Sequence, residues 1–309
     1  YRVTHRTTYT YDDDVTVSFG VGHLVPRSLP WQRVVSQQLR VSPDPGDTDH
    51  DQDCYGNAVS YFQVTAPHTV LEIEAVSEVE VSVPTYDEAG LGAAWETACP
   101  ILAPRAPGAW RACDFALATP GVDHARGARE YAAPSLTPGR PIAEAVSDLM
   151  HRIHTDFDYD KTATTVTSTV ADTLVQRAGV CQDFAHLALA CLRSHGVAAR
   201  YVSGYLATQP PPGRERVVGA DASHAWLAVW VPPTAAALAA HPSAAGEWLA
   251  IDPTNDQWAN DRYVTVAWGR GYGDVPPLRG IIFTEATTSA LRVSVDVAPL
   301  DPPEVRAPR

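Results

Sequence analysis

At 309 residues with 45% apolar side chains, the chain is long enough for one large or two ordinary domains and can fill a hydrophobic core. Its 36 acidic residues outweigh 23 basic ones for a formal net charge of -13, and no Lys/Arg run follows a phosphate backbone, which argues against a nucleic-acid partner. No apolar run reaches the length of a membrane span, the first residues carry no secretory pattern, and five cysteines without a CxxC pair read as reduced thiols, so a cytoplasmic protein without a membrane partner is expected.

From residue 1 to 84 the texture is period two, in "YRVTHRTTYTY", "RVVSQQLRV", "NAVSYFQV" and "TVLEIEAVSEVEVSV", which predicts an antiparallel β domain. The Asp-, Gly- and Pro-rich "SPDPGDTDHDQDCYGN" reads as a loop or hairpin tip. Residues 85–140 lose periodicity and gain Pro and Ala, as expected of a connecting segment. Cys99 and Cys113 lie in it and would bridge only in an oxidising compartment.

Residues 141–309 are expected to form an α+β unit. "PIAEAVSDLMHRIHTDF" repeats Ile142, Val146, Leu149 and Ile153 along one helical face behind Pro141. "TVADTLVQRAG" spaces Thr169 and Asp172 as a capping box and offers Gly179 as its stop. In "GVCQDFAHLALACLRSHG" the residues Phe184, Leu187, Ala188, Cys191 and Leu192 form a further stripe, ended by Gly196. Strands follow at "ARYVSGYL", "HAWLAVWV", "EWLAID" and "ALRVSVDV".

Helical phase separates two thiols. Cys191 falls on the apolar stripe, where a small buried hydrophobe is expected. Cys181 falls in the first turn, where unpaired N–H groups and the helix dipole favour a thiolate. A nucleophilic thiol needs a base, and the base needs an orienting acceptor. His224 begins one strand and Asp252 ends the next, so antiparallel pairing would bring them to the same sheet edge. Period two also puts Trp226 and Trp230 on the face of His224, as candidate walls of a substrate cleft. The opposing readings are a core histidine and a turn carboxylate before Pro253.

The order Cys, His, Asp is that of papain-like acyl-transfer sites. The blocks "GVCQDFAHLALACLRSHGVAARYVSGYL", "DASHAWLAVWVP" and "WLAIDPTN" resemble the core of the bacterial transglutaminase-like proteins, within the transglutaminase and cysteine-protease-like superfamily. "YRVTHRTTYTY", "LVPR", "YGN" and "EIEAVSEVEV" are similar to the amino-terminal β region that accompanies that core. The resemblance spans most of the chain outside 85–140. It implies a papain-like core joined to an antiparallel β domain, with Cys181 as nucleophile, His224 as general base and acid, and Asp252 orienting the imidazole. The oxyanion would be held by the Cys181 N–H and a side-chain donor, for which Tyr159 is the candidate; a tyrosine packed on the core is the opposing reading.

The expected function is thiol-dependent acyl transfer on peptide or protein amides through a thioester, hydrolytic as in a cysteine protease or amidase. Transglutaminase crosslinking of Gln to an amine stays open, as does a catalytically silent peptide-binding scaffold. No cofactor or metal is called for. "HRIHTDFDYD" pairs His151 with His154 but lacks a third ligand, and "DHDQDC" with His50, Asp51 and Cys54 reads as a solvated turn. "PPPG" at 210–213 is expected to be a stiff loop bordering the cleft. The tail departs from the family's usual "GRDYGDV" at Gly271, and Tyr263 stands where His is common. Oligomeric state and substrate identity are not legible.

Overall fold

The computed structural model describes residues 1–123, 125–208 and 223–300. Five strands open the chain: β1 (Arg2–Gly22), β2 (Gln32–Ser42), β3 (Asp47–Gln52), β4 (Ala58–Val64) and β5 (His68–Val81). β1 is the spine of their antiparallel sheet. Its first half pairs with β5 and its second half with β4, after a register break between Thr10 and Val15. Alternation explains the first half: Val3, His5 and Thr7 are buried between exposed Arg2 and Arg6. The Asp-rich segment expected as a loop instead contains β3, six exposed residues paired along their length with β4. A solvated edge strand needs backbone partners rather than an apolar face, so composition hid it.

The 85–140 segment is docked rather than free. It forms three short helices, α1 (Glu88–Leu91), α2 (Ala109–Ala112) and α3 (Arg126–Ala132), with 3-10 turns at Trp95–Ala98 and Cys113–Ala116. Trp95, Ala98, Cys99, Ala109, Ala112, Phe115 and Ala116 are buried. Small side chains there let the backbone lie close to its neighbours. All five cysteines are free thiols.

Then come α4 (Ile142–Asp156), β6 (Asp158–Tyr159), α5 (Val170–Gln176), β7 (Ala178–Gly179), α6 (Cys181–Ser194), β8 (Ala199–Leu206), β9 (Ser223–Val231), α7 (Ala235–Ala240), β10 (Glu247–Asp252), β11 (Gln257–Trp258) and β12 (Tyr263–Gly269). The Thr169–Asp172 capping box of α5 is present. Its stop is Arg177 in the left-handed region, and Gly179 lies two residues further on, in β7. The second sheet runs β11-β10-β9-β8-β12, all antiparallel. β8 and all but the start of β9 are buried on both faces, which is why their sequences are nearly continuous apolar runs.

α6 is buried from Asp183 to Arg193, so its expected single stripe is in fact a helix enclosed all round. Ala185, Ala188 and Ala190 make that close approach possible, against β8 and β9 on one side and α3, α4 and α5 on the other.

The last strands, β13 (Leu278–Thr284) and β14 (Ser289–Ala298), correct the expected division at residue 141. Both pair with β1, β14 along Arg2–Tyr11 and β13 along Val15–Gly22. The chain therefore returns to complete the amino-terminal sheet, where Val295 and Val297 bury beside Val3. The α+β architecture, with a Cys-bearing helix against an antiparallel sheet and an amino-terminal β region, is as expected. No helix among the described residues is long and apolar enough to cross a membrane.

Candidate active site

The first turn of α6 is fixed by one carboxylate. Asp183 Oδ2 accepts from Val180 N–H at 2.8 Å and from the Thr164 hydroxyl at 2.6 Å, the reciprocal half of a capping box. Gly179 leaves room for it, since a Cβ there would stand 2.8 Å from both Asp183 Cβ and Oδ2. Cys181 is half-buried at that turn, whereas Cys191, nearly three turns on, is wholly buried and its thiol is pushed up by desolvation.

β9 and β10 pair antiparallel with Leu227 opposite Ile251, which brings the start of one beside the end of the other. His224 Nε2 consequently meets Asp252 Oδ2 at 2.7 Å, and Cys181 lies near enough to help raise the His224 pKa. Cys181, His224 and Asp252, spread over some seventy positions of the sequence, are thus one cluster.

Asp252 is fully buried yet amply satisfied. Oδ1 accepts from the Thr254 and Asn255 N–H groups at 2.9 and 3.3 Å, while Oδ2 accepts from Asn255 Nδ2 and the Tyr263 hydroxyl, each at 2.7 Å, besides His224. Burial raises the pKa of this carboxyl, but the His224, Asn255 and Tyr263 bonds outweigh it and hold the group below its ordinary range. Burial likewise lowers the His224 pKa. Hydrogen bonds and charge from Asp252 and Cys181 outweigh it and raise the imidazolium to about 10.

Four residues at this cluster are not singled out by sequence as part of it. Asn255 closes the "DPTN" turn, a spacing typical of side-chain-capped turns and so readable in principle. Tyr263, noted only as a departure, is a donor to Asp252. His151 and His154, set aside as a helix end, brace the same turn: His151 Nδ1 bonds Asp256 at 2.7 Å and His154 Nδ1 donates to Thr254 O at 3.0 Å. Among the described residues no group of three or more His, Cys, Asp or Glu could hold a metal.

Tyr159 is 51% exposed, its ring edge-on to Phe184, and β6 pairs it with Gly179 two residues before Cys181. Burial and the nearby Cys181 both raise its hydroxyl pKa, so it remains a neutral donor.

The two tryptophans do not line an open groove, a correction to the expected cleft. Trp226 is 1% exposed and lies under His224, ring centroids 6.0 Å apart, with Tyr263 edge-on at 5.2 Å. Trp230 is equally buried, packs on Ala109, Ala112 and Phe115, and donates Nε1–H to Ala245 O at 2.9 Å. The docked 85–140 segment covers Trp230, while Trp226 is enclosed by Val202, Ala228, Ala259 and Tyr263 of the core itself. Gly271 stands against Val122, Thr119 and His186, and a Cβ there would lie 3.6 Å from the buried His186 Nε2. Residues 210–213 lie outside the described residues.

A buried Cys-bearing helix against an antiparallel sheet, with a thiol, an imidazole and a carboxylate at one edge, is the architecture of the transglutaminase-like class. The chain belongs to that superfamily and carries its bacterial amino-terminal region: residues 129–253 match the model of the transglutaminase-like superfamily, and residues 1–80 match that of the bacterial transglutaminase-like N-terminal region. It is 48% identical over 304 residues to an uncharacterised protein of Mycobacterium tuberculosis, covering 97% of this chain and 93% of that one. An uncharacterised protein of Mycobacterium leprae is 33% identical over 309 residues, covering 97% and 98%. A crystal structure from Cytophaga hutchinsonii, described as a "Putative Cysteine Protease", superposes with a TM-score of 0.71 at 18% identity, covering 97% of this chain and 92% of that one.

Proposed function

We propose that the protein is a thiol-dependent acyl-transfer enzyme acting on peptide or protein amides, with Cys181 as nucleophile, His224 as proton carrier and Asp252 as its orienter. The observation that carries the reading is His224 hydrogen-bonded to Asp252, with Cys181 beside it at the first turn of α6. Nε2 faces the carboxylate, which leaves Nδ1 for the thiol and for the proton that moves. Asp252 favours the imidazolium, and the N-terminus of α6 favours negative charge at its first turn, where Cys181 stands.

The thiolate attacks the amide carbonyl carbon, and the tetrahedral oxyanion is met by the Cys181 N–H with Tyr159 as the second donor. The C–N bond breaks as the imidazolium gives its proton to the departing amine, leaving a thioester and neutral imidazole. Water then attacks the thioester and gives one proton to His224; the C–S bond breaks, restoring the thiolate and releasing a carboxylic acid that ionises to solvent. Hydrolysis is the outcome we assign. The Cytophaga protein's description as a cysteine protease is in keeping with it, while the family name leaves an amine as the competing acceptor.

Iodoacetamide labelling near neutral pH, mapped by mass spectrometry, tests the thiol: Cys181 labels much faster than Cys191, and equal rates refute an activated thiolate. Mass spectrometry of a glutamine-containing peptide, with and without excess primary amine, tests the acceptor. A cleaved or deamidated product that persists with amine present supports hydrolysis, and an amine adduct overturns it. A Cys181→Ala protein with full activity overturns the whole reading.

A further inference from the structure

The amino-terminal β region touches the second sheet at its open edge. β12 is the outermost strand there, paired on one side with β8 only, so its other side presents unpaired backbone groups. Two buried side-chain amides take the place of a neighbouring strand. Gln32 Oε1 accepts from Thr265 N–H at 2.8 Å and its Nε2 donates to Thr265 O at 2.7 Å. Asn57 Oδ1 accepts from Trp268 N–H at 2.9 Å and its Nδ2 donates to Trp268 O at 2.8 Å. A register break between Thr265 and Ala267 sets the three-residue spacing of these two contacts. Arg27 adds a backbone bond to Thr265 O at 3.1 Å and lays its guanidinium 3.6 Å above the Trp268 ring.

The clamped strand begins at Tyr263, the residue whose hydroxyl donates to Asp252. That hydroxyl accepts from Gln257 Nε2 at 2.7 Å, and Gln257 Oε1 accepts from Arg262 at 3.0 Å, so its only proton points at the carboxylate.

Resting on the reading of Cys181, His224 and Asp252 as the reacting groups, we propose that Tyr263 is a positioning residue for Asp252, and that the amino-terminal β region, through Gln32 and Asn57, sets its place by completing the edge of β12. The region is then part of the catalytic apparatus rather than a separate binding module. Tyr263 draws charge from the oxygen that His224 also uses, tempering the imidazolium that Asp252 favours. The charged or titratable groups facing His224 are Asp252, Cys181 and the Tyr263 ring at 6.2 Å, and those facing Tyr263 are Asp252, Arg262 and His224.

The test is an NMR titration of 15N-histidine-labelled full-length protein, with the His224 signals assigned by their loss in His224→Gln. In Tyr263→Phe, Oδ2 keeps more charge, and the His224 midpoint is expected to rise by about half a pH unit or more. Gln32→Leu, outside the site, is expected to raise it too, and to add nothing in the Tyr263→Phe background because both act through one hydroxyl. An unmoved or lowered midpoint in a cooperatively folded Tyr263→Phe overturns the role of Tyr263. A Gln32→Leu midpoint that stays put, or a shift that persists in the double variant, overturns the link to the amino-terminal region. The measurement reads the imidazole and needs no turnover, so an unreactive Cys181 refutes the acyl-transfer reading without deciding this one.

Discussion

Asp252 accepts a 2.7 Å hydrogen bond from His224 Nε2–H inside the protein, with the carboxylate fully buried and the imidazole nearly so. Such a pair is retained only when the remaining lone pairs are met, and the four further donors on Asp252 meet them. The raised imidazolium has a consequence for stability. Because its folded pKa of about 10 lies above the ordinary 6.5, the stabilisation is complete below about pH 6.5 and is lost as pH climbs toward 10. The melting temperature of the wild type should therefore exceed that of His224→Gln most near pH 6 and least near pH 10. A gap that is constant or grows with pH contradicts a paired imidazolium.

The cap on α6 predicts a coupled loss of stability and reactivity. Asp183→Ala removes the acceptor of Val180 N–H and Thr164 and should cost about 1–2 kcal/mol in urea unfolding. Gly179→Ala should do similar harm without touching a hydrogen-bonding group, because its Cβ would displace the Asp183 carboxylate. In both variants Cys181 should lose its labelling advantage at pH 7. A Gly179→Ala protein with wild-type labelling and stability would show that the close approach at this turn relaxes freely.

How much of this was legible in the sequence depended on whether a local pattern carried the information. The periods of β1, β5 and α4 are legible because one face of each meets a core, whereas α6 is helical as its spacing predicts but enclosed on all sides, and the antiparallel step from His224 to Asp252 follows from two adjacent strands. The return of β13 and β14 to β1 was not readable, because alternation in "ALRVSVDV" names a strand and not its partner. The exposed β3 lacked any apolar signal. Period two places Trp226 and Trp230 on one face, but whether Trp230 is open depends on the 85–140 segment, whose small, aperiodic residues give no hint that they dock, and Trp226 is closed in by Ala259 and Tyr263 from beyond the strand. Tyr263 and Gln32 are side chains that complete groups distant in sequence, and nothing local announces such a role.

Burial of the tryptophans separates two expectations for their variants. If Trp226 or Trp230 lined a substrate groove, truncation would alter substrate binding and leave the fold intact. Packed as they are, Trp230→Ala should destabilise by about 3–5 kcal/mol, since it empties the contact with Ala109, Ala112 and Phe115 and orphans Ala245 O. Denaturant unfolding decides between them, and a Trp230→Ala midpoint equal to that of the wild type would return this residue to the cleft.

The amide clamp predicts that residues 85–309 do not form an independent unit. Without the amino-terminal strands, β13 and β14 lose the strand they pair with, and Thr265 and Trp268 lose the amides that close the edge of β12. Each abandoned buried backbone group costs on the order of 1–3 kcal/mol, and a naked edge strand invites pairing between chains. The truncated chain should therefore aggregate or unfold without a cooperative transition. Asn57→Ala in the full chain should remain soluble but lose about 2–3 kcal/mol, because Asn57 is wholly buried and serves Trp268 and Asp53 together. A monomeric, cooperatively melting 85–309 fragment, read by light scattering and thermal unfolding, would show that the core closes its own edge and that the two regions are held together for another reason.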